Sequence, residues 1–308
     1  MRKKVLIVGG VAGGASAAAR LRRLDEHAEI IIFEKDRYIS YANCGLPYYI
    51  GEVIKDRDDL IVQSAEDMKI RFNIDVRTES EVTGINPGDR NVTVKNKSGD
   101  LYTENYDYLI LSPGARAFKP AIPGINSDKV LSLRNISDTD AIKSLVDEKG
   151  MKSAVVIGGG FIGVEIAENL IQRGVAVTLV ELAGQVLAQF DEDMAAILEN
   201  ELAKNGVNLM LNTSVTAVDE KGDGLELTLS TGEKISADFV VVGAGVIPDT
   251  DFLKGSGIEL GLRGHIIVNE KMQTNIRDIY AVGDAIEVVD FVNGKKTAIP
   301  LAGPANKQ

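Results

Sequence analysis

Gly158-Gly159-Gly160-Phe161-Ile162-Gly163 follows the apolar run Ala154-Val155-Val156-Ile157 and leads into a helical stretch, Val164 to Arg173, after which Val177-Thr178-Leu179-Val180 ends at Glu181. The order is strand, glycine turn, helix, strand, acid. Gly158, Gly160 and Gly163 fit the G-x-G-x-x-G pattern of a βαβ dinucleotide unit, and Glu181 stands 18 residues past the last of them. Glycines let the backbone approach a pyrophosphate, and the helix N-terminus offers unpaired N–H groups and a positive dipole end. The terminal carboxylate accepts hydrogen bonds from an adenosine ribose.

The same grammar stands at the N-terminus. Val5-Leu6-Ile7-Val8 runs into Gly9-Gly10-Val11-Ala12-Gly13-Gly14, a helix is expected over Ala15 to Leu24, and Ile30-Ile31-Ile32-Phe33 is closed by Glu34. Val11 sits where the middle glycine belongs. One glycine turn is a weak signal; two copies, each with its strand, helix and acid, point to two dinucleotides and electron transfer between them. The fold class read from this repeat is α/β, with two Rossmann-like dinucleotide-binding domains.

Between the copies, Val92-Thr93-Val94 and Tyr106 to Leu111 flank a polar turn at Lys97-Ser98-Gly99-Asp100, which reads as a hairpin or meander. The second half imitates it: Leu225 to Leu229, a turn at Thr231-Gly232, then Asp238 to Gly245. Ile279 to Ala285 is a last strand ending in Gly283-Asp284.

The 308 residues suffice for about two domains. The net charge of −11 argues against a broad nucleic-acid surface. No apolar run approaches the roughly 20 residues that span a bilayer, so no membrane association is expected. The four-residue apolar start is too short for a signal-peptide core. One cysteine allows no internal disulfide and, with two histidines, no zinc site of the usual Cys/His type, so no metal is expected and the compartment reads as cytoplasmic.

Along its whole length the chain resembles the FAD- and NAD(P)-dependent pyridine nucleotide-disulfide oxidoreductases. The residues that carry the likeness are the first glycine turn with Glu34, the Ser112-Pro113-Gly114 turn, the second glycine turn with Glu181, and Gly283-Asp284. The resemblance implies that the first copy holds FAD and the second NAD(P)H. Gly9, Val11, Ala12, Gly13, Gly14, Glu34, Lys35, Val82, Ser112, Gly114, Arg134, Asp284 and Ala302 would line the flavin, and Gly158, Gly160, Ile162, Gly163, Glu181 and Gly245 the nicotinamide nucleotide. It also implies a discontinuous FAD domain, 1–117 plus 247–308, with an NAD(P)H domain at 118–246. Glu181, followed by no arginine in Leu182-Ala183-Gly184-Gln185, predicts NADH over NADPH.

Chemistry is expected at Cys44, in Ser40-Tyr41-Ala42-Asn43-Cys44-Gly45-Leu46-Pro47-Tyr48-Tyr49. Dithiol members of the family carry Cys-x-x-x-x-Cys here. With a single sulfur, the oxidised form must be a sulfenic acid or a mixed disulfide. The motif looks like that of coenzyme A-disulfide reductases and NADH-dependent persulfide reductases. That likeness places Ser16, Arg20, Arg23, Ser40, Asn43 and Arg71 near coenzyme A, as substrate or as a Cys44 adduct. Arg20, Arg22 and Arg23 form a basic cluster suited to a phosphorylated substrate.

Two other readings stand beside it. NADH oxidases and peroxidases use a cysteine sulfenic acid and typically carry a histidine in the first turn, where this chain has Ala12. A flavoprotein relay would pass electrons to a protein partner. The resemblance further implies a C-terminal interface domain beyond residue 308, which builds a homodimer, and in some persulfide reductases a rhodanese domain after it.

Overall fold

The computed structural model describes residues 2–308. Its contacts divide the chain into two compact units: one up to Tyr41 with Ile61–Arg116 and Ile247–Gln308, the other Ala42–Leu60 with Ala117–Val246.

The first unit is built on a five-stranded parallel sheet in the spatial order Ile279–Ala281, Tyr108–Leu111, Lys4–Val8, Glu29–Phe33, Asp75–Arg77. Near-continuous β-branched and leucine runs form these strands because both faces are covered. Leu6, Val8, Ile31 and Phe33 face one core with Val82, Val92 and Val94 of an antiparallel sheet. Val5, Ile7, Ile30 and Ile32 face the other with Ala18 of the helix Ala12–Leu24 and Met68 of the helix Ala65–Phe72.

The second unit repeats the plan. Its parallel sheet runs Asn208–Met210, Ala176–Val180, Ser153–Ile157, Phe239–Val242, Val130–Ser132. An antiparallel sheet of Val215–Lys221, Gly224–Leu229 and Lys234–Ala237 packs on it through Leu225, Leu227 and Leu229 against Val155, Ile157 and Val240.

Three sequence expectations shift. Both nucleotide helices begin three residues earlier than expected, at Ala12 and Phe161, directly on the glycine turns. The polar turn at Lys97–Asp100 joins Asn91–Lys95 to Leu101–Asn105, and Tyr108–Leu111 belongs instead to the parallel sheet; Lys234–Ala237 and Phe239–Val242 divide in the same way. An aspartate marks each break. Asp107 Oδ2 accepts the N–H of Lys4 at 2.7 Å, and Asp238 Oδ2 those of Lys152 and Ser153 at 2.7 and 2.9 Å, which fixes each strand beside the one that leads into its unit's glycine turn. Finally, Ala42–Leu60 groups with the second unit, because its side chains pack on that unit's helices. Among the described residues no helix is long and apolar enough to cross a membrane.

Candidate active site

The two glycine turns are built alike. Gly9 N–H donates to Phe33 O and Gly158 N–H to Val180 O, both at 2.8 Å, so each turn is tied to the end of the neighbouring strand. The close helix–strand approach leaves no room at the last glycine. A β-carbon on Gly14 would lie 1.9 Å from Gly9 O, and one on Gly163 1.8 Å from Gly158 O. The middle position differs: a β-carbon on Gly160 would meet nothing within 4 Å beyond its immediate chain neighbours. That open cradle beside a helix start suits a bound diphosphate, and its openness explains how Val11 can stand at the same place in the first turn, where it precedes the helix. Ala12 and Ile162 lie in the first turns of the two helices, and Gly13 packs under Ser112, whose Oγ a β-carbon would approach to 2.7 Å.

The acids complete the turns. Glu34 accepts Gly10 N–H at 2.8 Å and Asp36 N–H at 3.0 Å; Glu181 accepts Gly159 N–H and, at 2.6 Å, Ala183 N–H. A carboxylate offers about four acceptor directions. Each acid therefore retains acceptor capacity for ribose hydroxyls, and the residues fit two dinucleotides. Burial pushes the Glu34 carboxyl above its ordinary range, against the lowering effect of the backbone N–H groups of Asp36 and Gly10. Burial would lower the Lys35 ammonium, but its pairing with Asp249 and the nearby charges of Asp36 and Glu34 together hold it above the usual value.

The other expected residues are divided between the two units. Ser112 and Gly114 follow the strand Tyr108–Leu111, Gly114 O accepting Asp249 N–H at 3.0 Å, and Asp284 lies in the turn Gly283–Ala285. Val82 is core, its side chain buried with Val8 and Phe33. Ala302 begins the helix Ala302–Lys307, whose Asn306 Oδ1 accepts the hydroxyl of Ser16 at 2.8 Å. Arg134 belongs to the second unit, where its N–H donates to Asp138 ahead of the helix Ile136–Asp147. Gly245, in the same unit, accepts Phe118 N–H at 2.9 Å.

Cys44 is exposed, in the turn Asn43–Gly45 that continues into the helix Leu46–Ile50. Tyr48 lies in that helix, four residues after the thiol. Burial raises the Tyr48 phenol, as do Glu165, Glu168 and Cys44 itself. Asn43 Oδ1 is buried with no hydrogen-bond partner among the described residues. The segment is fastened by Arg57, which meets Asp140 through Nε and Nη2 at 2.6–3.0 Å, and by Arg173, whose Nη1 donates to Ile50 O at 2.8 Å.

The basic cluster separates. Arg22 is a structural residue: its guanidinium donates to the carbonyls of Phe72, Asn73, Asp25 and Glu26 and closes two helix ends. Arg20 and Arg23 remain exposed on the helix. Arg71 is exposed and donates to Gln63 at 3.1 Å; Ser40 takes φ +43° and donates its N–H to Gly10 O. Sequence reasoning missed Gly51 and Asn169. The signal for Asn169 was there: it is an amide among the apolar residues of Phe161-Ile162-Gly163-Val164-Glu165-Ile166-Ala167-Glu168-Asn169-Leu170, and it is fully buried.

Two nucleotide turns and one exposed thiol segment define a redox protein of the two-dinucleotide class. The chain belongs to the pyridine nucleotide-disulphide oxidoreductase family, whose model matches residues 3–308. The family works with FAD and NADH. The chain is 39% identical to the coenzyme A disulfide reductase of Staphylococcus haemolyticus over 306 residues, 99% of this chain and 68% of that protein. The crystal structure of reduced Bacillus anthracis CoADR-RHD superposes with a TM-score of 0.96 at 51% identity, covering 100% of this chain and 55% of that one. A NAD-dependent persulfide reductase from A. fulgidus gives a TM-score of 0.94 at 36% identity, covering 99% of this chain and 57% of that one. The chain thus spans little more than half the length of these two solved relatives.

Proposed function

We propose that this chain takes electrons from NADH, through FAD, to Cys44, and there reduces a coenzyme A disulfide or persulfide. The observation that carries the reading is an exposed, unpaired Cys44 in a chain with two dinucleotide turns, each tied to its acid; the likeness to coenzyme A disulfide reductase and persulfide reductase supports the substrate class.

FAD, when bound, would supply the two-electron relay between nicotinamide and sulfur. Gly9, Gly14, Glu34, Ser112, Gly114 and Asp284 would hold it, and Gly158, Gly160, Gly163 and Glu181 the NADH. The Cys44 thiolate attacks one sulfur of the substrate disulfide, forming a Cys44–S–S–CoA bond and releasing one coenzyme A thiolate. Two electrons then cleave the mixed disulfide, returning the Cys44 thiolate and a second coenzyme A thiolate. For the disulfide the balance is one NADH and one proton consumed for two coenzyme A thiols and NAD⁺; for the persulfide the same input yields one coenzyme A thiol, one hydrogen sulfide and NAD⁺. Arg20 and Arg23, exposed on one helix, are suited to the coenzyme A phosphates. We place the reaction in the cytoplasm, where a lone thiol persists, and the working assembly as a homodimer, on the family resemblance.

The test is Cys44→Ser. Flavin should still bleach with NADH, while coenzyme A disulfide and persulfide reduction falls to background. Unimpaired turnover would refute the reading, and peroxide or oxygen reduction without coenzyme A activity in the unaltered protein would favour a Cys44 sulfenic acid.

A further inference from the structure

The Cys44 segment ends on a single tight contact. Gly51 closes the helix Leu46–Ile50 with its N–H on Pro47 O at 3.0 Å and a φ of −73°, a conformation open to any residue. A β-carbon there would nevertheless lie 2.0 Å from Asn169 Oδ1 and 2.8 Å from Asn169 Cγ. Asn169 has nowhere to retreat: it is fully buried, and its Nδ2 donates to Glu165 O at 2.7 Å, one turn back in its own helix. Four residues further on, Arg173 Nη1 holds Ile50 O, so consecutive residues of the thiol segment are gripped by the end of one helix. A buried amide costs desolvation where Ile166, Ala167 and Leu170 pack without any. Its oxygen meets no hydrogen-bond donor among the described residues; it meets Gly51.

We propose that Asn169, with Gly51 as its steric counterpart, is a positioning residue for Cys44: it sets the far end of the helical run Asn43–Ile50 and so the direction in which the thiol is presented. The inference rests on Cys44 being the reacting thiol.

The experiment follows the alkylation of Cys44 by iodoacetamide, from neutral to alkaline pH, in the unaltered protein, Gly51→Ala, Asn169→Ala and the double variant. We expect alkylation about fivefold slower in Gly51→Ala, with the pH midpoint moved, and about threefold slower in Asn169→Ala. The double variant should match Asn169→Ala and not the product of the two, since the added methyl enters the space the amide leaves. Gly51→Ala reacting at the unaltered rate, or effects that multiply, would overturn the proposal. If Gly51→Ala does not fold, Asn169→Ala, which adds no atoms, decides alone: a lowered Tm with an unmoved thiol midpoint would show a merely structural amide. Coenzyme A disulfide turnover measured in parallel reports separately on the proposed reaction.

Discussion

The carboxylate of Glu34 accepts the backbone N–H of Gly10 at 2.8 Å, so the residue ending one strand holds the turn that follows its neighbour. Glu181 does the same for Gly159. In both units the acid builds the nucleotide turn before it meets any ribose.

Glu181→Ala should therefore cost twice. It leaves the N–H groups of Gly159 and Ala183 unmet, for about 1–3 kcal/mol of stability. It should also raise the KM for NADH roughly tenfold and erase discrimination against NADPH, whose 2′-phosphate the carboxylate repels. Stopped-flow reduction with both nucleotides checks it; an unchanged preference would remove Glu181 from the specificity assignment.

Gly160→Ala and Gly163→Ala should part company. The first adds a methyl to open space, so folding is kept and NADH affinity falls at least about tenfold. The second drives a β-carbon to 1.8 Å from Gly158 O and should cost about 3 kcal/mol of stability through backbone displacement. Urea unfolding and nucleotide titration separate the two outcomes.

Acid should weaken the first unit through Glu104. Burial would raise this carboxyl, but hydrogen bonds from Lys4 and from Arg77 at 2.6 Å hold it below its ordinary value. A depressed folded pKa contributes stability that is present above the unfolded pKa, about 4.3, and is lost as pH falls through the folded one. Glu104→Gln should lower stability at neutral pH by about 1–2 kcal/mol, and the gap from the unaltered protein should close on acidification below about pH 4. Urea midpoints at the two pH values test this.

Arg57→Ala should loosen the thiol segment without unfolding the chain. Its pair with Asp140 is partly exposed, so the global cost is below about 1 kcal/mol. Amide exchange in Ala42–Leu60 should quicken severalfold while the rest keeps its protection. Uniform exchange across the chain would mean that the ion pair does not anchor the segment.

The nucleotide turns were legible because their constraints are local: a glycine without room for a β-carbon and an acid at a strand end leave marks in the sequence. The strand partners of Tyr108–Leu111 and Phe239–Val242 were not, since an apolar run reads the same in a hairpin and in a parallel sheet. Arg22 was misjudged for a similar reason. Its charge was visible, but two of the carbonyls it closes, those of Phe72 and Asn73, lie 50 and 51 positions away. The residence of Ala42–Leu60 with the second unit depends on Asp140, Asn169 and Arg173, pairings over long separations that no window of sequence displays.

The parallel sheet of the first unit is finished by Ile279–Ala281, which lies beside Tyr108–Leu111 although the Ala117–Val246 part of the second unit intervenes between them along the chain. A ribosome delivers these strands in order. The second sheet, whose strands all lie between Val130 and Val242, can be complete while the first still lacks its outermost strand. Synthesis thus imposes a sequence of assembly: the inserted unit closes first, and the unit that begins the chain is among the last to be sealed.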